Sequence, residues 1–295
     1  MRTPALALIA VCLLSAGCTV SMDAEERVAR EEKRFPVTGA ADVSVSTFDG
    51  PIEIRSWDRS EVLVEIEKRA GDEAGLKSIE VRAEKQGNRV HVEAVRPSGS
   101  DKFVGIGFHV SPQAKLIVSV PKETTLEARS GDGSIRAEHL QGRVTLRTAD
   151  GSVRAVEIKG ELDIESGDGS ITVDDADGTA RLSTGDGGVT TSGRFDVLTV
   201  KSGDGSVTVR ADRGSEAKSD WSITTEDGSV ALYLPEGFSG EIDARTGDGT
   251  VRSEFDVQGA ERDDAHRRSL RGRIGAVGNV LRIRTGDGSI SLRNW

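Results

Sequence analysis

The string SGDGSI occupies residues 130–135 and returns unchanged at residues 166–171, with the close variant TADGSV between them at residues 148–153. Five further variants follow, and the aspartates of the eight copies are separated by 18, 18, 18, 18, 23, 21 and 39 residues. Four equal intervals in a row indicate an internal repeat of 18 residues. The eight aspartates are Asp132, Asp150, Asp168, Asp186, Asp204, Asp227, Asp248 and Asp287.

Apolar and polar residues alternate twice within each unit. In the first unit Ile135 and Ala137 follow the turn, and Val144 and Leu146 come later. A period of two is typical of strands that bury one face. The pattern therefore predicts two short strands per unit and an all-β protein.

Two all-β architectures fit these units. In a β-solenoid, coils of about 18 residues stack about 4.8 Å apart with equivalent residues aligned. In an antiparallel meander or sandwich, each Asp-Gly pair would form a hairpin turn. The constant unit length and small interior residues such as Ala137 and Ala155 favour the solenoid, with successive units stacked in register. The interval of 39 residues then reads as two units that have lost one turn.

Residues 1–17 predict a lipoprotein signal peptide. They contain one early positive charge, a short apolar stretch and small residues directly before Cys18. In the bacterial lipoprotein pattern that this ending resembles, cleavage before the cysteine leaves a thiol that carries diacylglycerol. The alternative is an ordinary secretory signal with an incidental cysteine. The expected location is the cell envelope, lipid-anchored through Cys18, and the outer membrane if the host is Gram-negative.

The rest of the chain divides into three segments. Residues 18–34 are charged throughout and predict a solvated tether. Residues 35–120 predict a less regular N-terminal β region that leads into the solenoid, and residues 121–295 hold the regular repeats. The strands predicted in the N-terminal β region are Asp42–Ser46, Ile52–Arg55, Val62–Glu67, Ser78–Ala83, Val90–Val95 and Lys115–Val120, with a hairpin turn at Gln86–Asn88.

Composition and motifs limit the function classes. The formal net charge of −10 argues against a nucleic-acid partner. Aromatic residues make up only 4% of the chain, so few side chains are available to stack on sugar rings. The sequence contains no Gly-x-Ser-x-Gly elbow and no cysteine and histidine spacing typical of a metal site. We therefore expect a protein that is not an enzyme and has no cofactor.

Four stretches resemble the bacterial β-strand-repeat family of unknown function described as "putative adhesin", and the likeness extends from about Phe35 to Trp295. The resemblance implies a right-handed β-helix-like solenoid on the envelope surface, and it brings no established catalytic residues. Some members of this family are associated with envelope-stress responses. The four stretches are Val43–Trp57, Leu116–Lys122, Trp221–Pro235 and Gly272–Ile290.

The aspartate of each turn is the first candidate site. Stacked coils would align these carboxylates in a row, where a divalent cation could relieve their repulsion as a weak calcium site. The alternative is that each carboxylate accepts hydrogen bonds from the amides of its own turn, with the glycines present to reach positive φ. We favour the turn role, because one carboxylate per turn is few for calcium, which takes six to eight oxygens.

A basic segment near the C terminus is the second candidate. In an acidic protein such a segment could contact phosphates or an acidic partner. The alternative is a solvated insertion, as charge runs usually are. Its arginines are Arg262, Arg267, Arg268, Arg271 and Arg273.

These observations predict a non-enzymatic envelope lipoprotein whose solenoid is a scaffold for adhesion or partner binding. Its expected partners are the membrane, through the lipid on Cys18, and an envelope protein or glycan. Two alternatives stay open: an envelope-stress signalling module, and a polysaccharide-active β-helix enzyme. A cluster of basic residues beside several carboxylates in one groove would favour the enzyme, whereas a uniform outer surface would favour the scaffold.

Overall fold

A computed structural model describes residues 27–96, 111–262 and 267–295, with the side chain of Arg262 excepted. The predicted signal peptide and Cys18 lie outside the described residues. Within the described ranges the regular structure is β-strand apart from one short helix. No helical segment there is long and apolar enough to cross a membrane.

Twenty-three strands and one helix make up the described chain. The elements of the N-terminal part are β1 (Arg27–Pro36), β2 (Ala41–Thr47), β3 (Ile52–Trp57), β4 (Glu61–Ala70), α1 (Glu73–Ser78), β5 (Glu80–Gln86), β6 (Arg89–Val95) and β7 (Gln113–Pro121). The strands that follow are β8 (Thr124–Ser130), β9 (Ile135–Glu138), β10 (Gln141–Thr148), β11 (Val153–Val156), β12 (Lys159–Ser166), β13 (Ile171–Thr184), β14 (Val189–Lys201), β15 (Val207–Ala211), β16 (Trp221–Thr225), β17 (Val230–Leu234), β18 (Gly240–Thr246), β19 (Val251–Ser253), β20 (Gln258–Arg262), β21 (Ser269–Ile274), β22 (Val280–Thr285) and β23 (Ile290–Asn294).

The repeats stack as parallel coils. Val144 of β10 pairs with Leu162 of β12, and Ile135 of β9 pairs with Val153 of β11, each pair 18 residues apart in sequence. The predicted all-β protein with coils stacked in register is thus confirmed for the regular repeats. The antiparallel meander is wrong for them, because each Asp-Gly turn joins strands that pair with other coils and not with each other.

Each coil contributes one strand to each of two series of pairings. The first series is β5, β6, β2, β8, β10, β12, the C-terminal halves of β13 and β14, β16, β22, β18, β21 and β20. The second series is β1, β4, β7, β3, β9, β11, the N-terminal halves of β13 and β14, β15, β17, β23 and β19. We call them the first sheet and the second sheet.

The interior between the two sheets is narrow and apolar. In the coil that starts at residue 135, the side chains of Ile135, Ala137, Leu140, Val144 and Leu146 are at most 1% exposed. The intervening residues face solvent, as the period of two requires. Burial of five such side chains per coil is the hydrophobic contribution that offsets the entropy of ordering the chain.

The C-terminal coils do not stack in chain order. The last coil, β22–β23, lies between β16–β17 and β18–β19, since β22 pairs with both β16 and β18. The prediction that successive copies stack on one another is therefore wrong here. The 39-residue interval is not two coils either: it contains the antiparallel hairpin β20–β21, which pairs with the free edge of β18. Its few apolar residues suit an edge and not a further buried coil.

The N-terminal end shows the same arrangement. The coil β2–β3 lies between β6–β7 and β8–β9, because β2 pairs with β6 and β8 while β3 pairs with β7 and β9. Antiparallel strands β4 and β5 then cover the outermost coil. Six strands lie where they are predicted in this region, and the hairpin turn is confirmed, since Gln86 pairs with Arg89. The strand predicted at Ser78–Ala83 starts only at Glu80, because Ser78 ends the helix α1.

Part of the predicted tether is a strand. Residues 27–36 form β1, which pairs antiparallel with β4 from Arg27 opposite Ala70 to Pro36 opposite Glu61. The charges that suggested a solvated segment face outward, and Arg30 and Lys68 form ion pairs with Glu67 and Glu31 across this edge. A strand that is charged along a sheet edge also discourages pairing with other chains.

The second glycine of each turn is required by the close stacking of backbones. A Cβ at Gly133, Gly169 or Gly187 would collide with the carbonyl oxygen of the equivalent glycine in the preceding coil. None of these three glycines has a positive φ. Close approach of backbones, and not the positive φ considered above, therefore accounts for the glycine at this position.

We expect Gly187→Ala to lower the free energy of unfolding by about 1–3 kcal/mol, because the added methyl group must push two coils apart. The neighbouring Gly188 is the matched control, since its Cβ would meet nothing closer than Ser206 O at 3.4 Å. Other turns carry Ser at that position, so Gly188→Ser should change stability by less than about 0.5 kcal/mol. Urea unfolding followed by circular dichroism measures both, and equal losses would contradict the explanation.

Candidate functional site

The residue that opens each turn links the coils through a buried hydroxyl. The Oγ of Ser130 accepts a hydrogen bond from the amide of Gly133 at 3.1 Å and donates one to Gly50 O in the neighbouring coil at 2.9 Å. Equivalent donations of 2.7–3.0 Å run through the stack. The donors are Ser130, Thr148, Ser166, Thr184, Ser202, Thr225, Thr285 and Thr246, all buried.

The predictions from sequence assign a role to the aspartates of the turns and none to this row of hydroxyls. Its signal was present, because every copy of the motif opens on Ser or Thr and never on an apolar residue. A buried hydroxyl without partners costs free energy, so its regular use indicates that partners are always in place. The row is structural: its members are enclosed between turns and are not offered to a ligand.

The eight predicted aspartates lie on one ridge, and all are exposed. Their order along the ridge follows the stack, so Asp287 comes before Asp248, which ends the row. Of these eight aspartates, Asp248 alone pairs with another side chain in the described part of the chain, namely Arg268 at 3.0 Å. The turn role of these carboxylates stays a prediction, although the amide of the second glycine in the turns of Asp132 and Asp168 is bonded to a Ser hydroxyl.

Calcium binding by this ridge stays a prediction. Neighbouring carboxylates on stacked coils are about 4.8 Å apart at the Cα level. Within the described part of the chain no three His, Cys, Asp or Glu side chains come close enough together to hold a metal ion. The ridge is thus a line of exposed like charges.

We expect Asp168→Asn to raise the free energy of unfolding by about 0.5 kcal/mol at low salt, because it removes repulsion from the aspartates above and below. The gain should shrink at high salt, which screens exposed charges. Asp196→Asn is the control with the opposite sign, since Asp196 pairs with Arg194 at 2.6 Å and Lys218 at 2.9 Å. A loss of stability in Asp168→Asn would show that the carboxylate supports its turn. The same melts with added calcium test the cation.

The predicted arginines are only partly brought together. Arg271 and Arg273 lie on β21, and their side chains are on the outer surface of the first sheet. Arg268 lies beside the ridge with Asp248, and Arg267 is exposed at the start of the same connection. The side chain of Arg262 lies outside the described residues.

Three arginines that the sequence did not single out join Arg271 and Arg273. Arg282 and Arg284 come from β22, and Arg245 from β18, because β22, β18 and β21 are consecutive in the first sheet. The insertion of the last coil into the stack creates this neighbourhood. The spacing of the repeats does not predict that these strands are neighbours. The alternation RIR at residues 282–284 indicates only that two arginines lie on the same face of one strand.

Asp243 is the centre of the arginine group. Its carboxylate is bonded by Arg284 at 2.7 Å and Arg271 at 3.3 Å, and Arg245 lies 3.5 Å away. Burial alone would raise the pKa of Asp243, but the hydrogen bonds from Arg284 and Arg271 outweigh it and hold the pKa below its ordinary value. Asp243 therefore stays ionised at neutral pH.

A groove of about 560 Å³ runs beside this group. Its charged lining includes Glu241 and Asp243 as well as three arginines, and Val280 and two glycines are among its uncharged lining residues. The lining residues are Glu241, Ile242, Asp243, Gln258, Gly259, Arg271, Gly272, Arg273, Val280 and Arg282. This volume is within the range of small-ligand sites. We call it the arginine groove.

Comparison with known proteins supplies a family and several distant structures. The family model described as Toastrack DUF4097 matches residues 40–293. No curated protein matches the sequence significantly.

Three similar solved structures each match about nine-tenths of this chain. A "putative adhesin" from Bacteroides fragilis is 9% identical, covers 90% of this chain and 97% of its own, and has a TM-score of 0.40. A "putative lipid binding protein" from Parabacteroides distasonis is 13% identical, with coverages of 89% and 96% and a TM-score of 0.44. A "putative cell adhesion protein" from Clostridium sporogenes is 14% identical, with coverages of 91% and 100% and a TM-score of 0.31.

Proposed function

The chain belongs to the Toastrack DUF4097 family, and we propose that it serves as a non-enzymatic scaffold of the cell envelope that binds a partner through the outer surfaces of its two sheets. We assign a right-handed sense to its coils, because connections between parallel strands of one sheet are nearly always right-handed.

The continuous stack of coils carries this proposal. Ten coils are joined by backbone pairing on both sheets, by turn-to-turn hydrogen bonds and by the row of buried hydroxyls. Such a body presents two long outer surfaces with side chains at fixed spacings. A rigid surface loses little conformational entropy when a partner binds, which is what a binding scaffold needs.

Ion pairs keep the middle of the first sheet's outer surface ordered. Glu161 accepts hydrogen bonds from Arg181 at 2.7 Å and Arg143 at 3.0 Å, from the coils on either side. The hydrogen bond from Arg181 is the main reason that the pKa of Glu161 lies below its ordinary value. Exposed pairs of this kind add little stability, but they align charged side chains across coils and leave few of them free.

Attachment to a membrane through a lipid on Cys18 is part of the proposal. The segment before Cys18 supports it, and Thr19 after the cysteine agrees with sorting to an outer membrane in a Gram-negative host. With one end anchored in this way, the long axis of the stack could extend away from the lipid surface.

We expect Cys18→Ala to move the protein from the membrane fraction to the soluble or secreted fraction and to abolish labelling with a radioactive or clickable fatty acid. Cys12→Ala is the matched control, because Cys12 lies within the apolar part of the same segment and should leave both readouts unchanged. Membrane association that survives Cys18→Ala would contradict anchoring through this residue.

The scaffold is tested with photo-crosslinking side chains in the native envelope. We expect Thr199 on the first sheet or Thr190 on the second, both exposed and facing outward, to crosslink one discrete envelope component. Ser170, exposed in a turn, is the control position. If neither sheet position gives a product above the level of Ser170, the scaffold proposal fails.

One observation favours a second candidate, a polysaccharide-active enzyme. The arginine groove does place basic residues beside Glu241 and Asp243, which is the arrangement expected of such an enzyme. The lowered pKa of Asp243 makes it a poor general acid at neutral pH and a weak general base. This chemistry suits binding better than cleavage. If the purified protein released new reducing ends from an acidic polysaccharide, the enzyme would be the correct candidate.

A further inference from the structure

The outer surface at the C-terminal end of the first sheet carries an excess of positive charge. Five arginines gather on three adjacent strands, against the four carboxylates of Asp220, Glu241, Asp243 and Glu261, the last on β20 directly opposite Arg271. The surplus stands out on a chain whose formal net charge is −10. The five arginines are Arg245, Arg271, Arg273, Arg282 and Arg284.

The arginine groove has donors that the described part of the chain does not use. Arg273 bonds Gln258 through one terminal nitrogen at 2.8 Å, but its Nε is buried and has no hydrogen-bond partner. Arg282 lies 3.9 Å from the Asp220 carboxylate, which is beyond a hydrogen bond. Each guanidinium offers five N–H donors, and the two oxygens of Asp243 are already shared by three arginines. An oxyanion in the groove would not reach the buried Nε of Arg273, but it would bond the terminal N–H groups of Arg273 and Arg282, which line the groove.

The spacing of the guanidinium groups indicates several anionic groups and not one. Strands β22, β18 and β21 are consecutive, so their arginines spread over about 10 Å across the sheet. Along β21, Arg271 and Arg273 are two residues apart, which is about 7 Å. The carboxylate of Asp243 already bridges arginines of all three strands. The donors that it leaves unused belong to Arg273 and Arg282, on the two strands that flank β18, and a chain molecule with repeated carboxylates can bond both of them.

We propose that the arginine groove binds a segment of a carboxylate-bearing polysaccharide. Arg271, Arg273 and Arg282 would hold its carboxylates, since planar guanidinium groups bind carboxylates in a bidentate manner. Glu241 is placed to accept hydrogen bonds from sugar hydroxyls, and Val280 gives an apolar patch for a ring face. This inference deepens the proposed scaffold function and rests on it, because it names the chemistry of one partner.

The carboxylates around the groove favour a narrow chain as its ligand over a partner with a broad anionic surface. The aspartate ridge ends nearby at Asp248, and the chain as a whole is acidic. A nucleic-acid duplex or an anionic membrane would contact these carboxylates along with the arginines and be repelled by them. A single polysaccharide chain can lie inside the groove without reaching the ridge.

The test is titration of the purified full-length protein with polygalacturonate oligomers, followed by calorimetry at low salt. The double variant Arg273→Gln/Arg282→Gln should bind at least tenfold more weakly, and binding by the unaltered protein should weaken as salt is added. The matched control is Arg136→Gln/Arg154→Gln, which removes the same charge from exposed arginines on the second sheet and should bind within twofold of the unaltered protein.

Two more measurements keep the result interpretable. Thermal melts show whether each variant is folded. Arg282→Lys keeps the positive charge but loses the planar pair of donors that binds a carboxylate in a bidentate manner, so it should lose part of the affinity. Equal weakening by the control pair, equal binding of neutral dextran, or preference for anionic phospholipid vesicles or duplex DNA would overturn the inference. Should polygalacturonate fail to bind while crosslinking still captures an envelope component, the scaffold proposal stands and the polysaccharide inference falls.

Discussion

Contact between the backbones of successive turns is the constraint on which the rest of the structure depends. The second glycine of one turn lies against the carbonyl of the equivalent glycine in the preceding coil. That same carbonyl accepts the buried hydroxyl of the residue that opens the turn. Because both contacts need the coils at one spacing, they also fix the register of the strands. The apolar side chains can then fill one continuous interior along the stack.

Much of this fold could be predicted because its signals are local and repeated. The alternation around Ile135 and Val144 gives the strands, and the interval from Asp132 to Asp150 gives the coil length. The chemistry of the turn was harder to predict, since Asp is the residue that most often bonds the amides of its own turn. Here the hydroxyl of Ser130 has that position, and Asp132 is left to face water.

The order of the end coils, and with it most of the candidate site, could not be predicted from the sequence. A repeat pattern states which segments are equivalent but not which of them are adjacent. Arg282 and Arg284 lie beside Asp243 only because β22 enters the stack between β16 and β18. The arginines close in sequence, Arg271 and Arg273, were identified as candidates. Their partners on two other strands depend on topology, which composition and spacing do not encode.

The position of the final coil has a consequence for how the molecule is made. A polypeptide emerges from its N terminus, yet residues 240–253 can acquire their parallel neighbour only after residues 280–294 have appeared. Until then the strands of residues 240–253 keep one unpaired edge. The finished stack then cannot fray one coil at a time starting from β23, since the coil β22–β23 is paired on both sides. Late completion and slow unravelling thus have one topological cause.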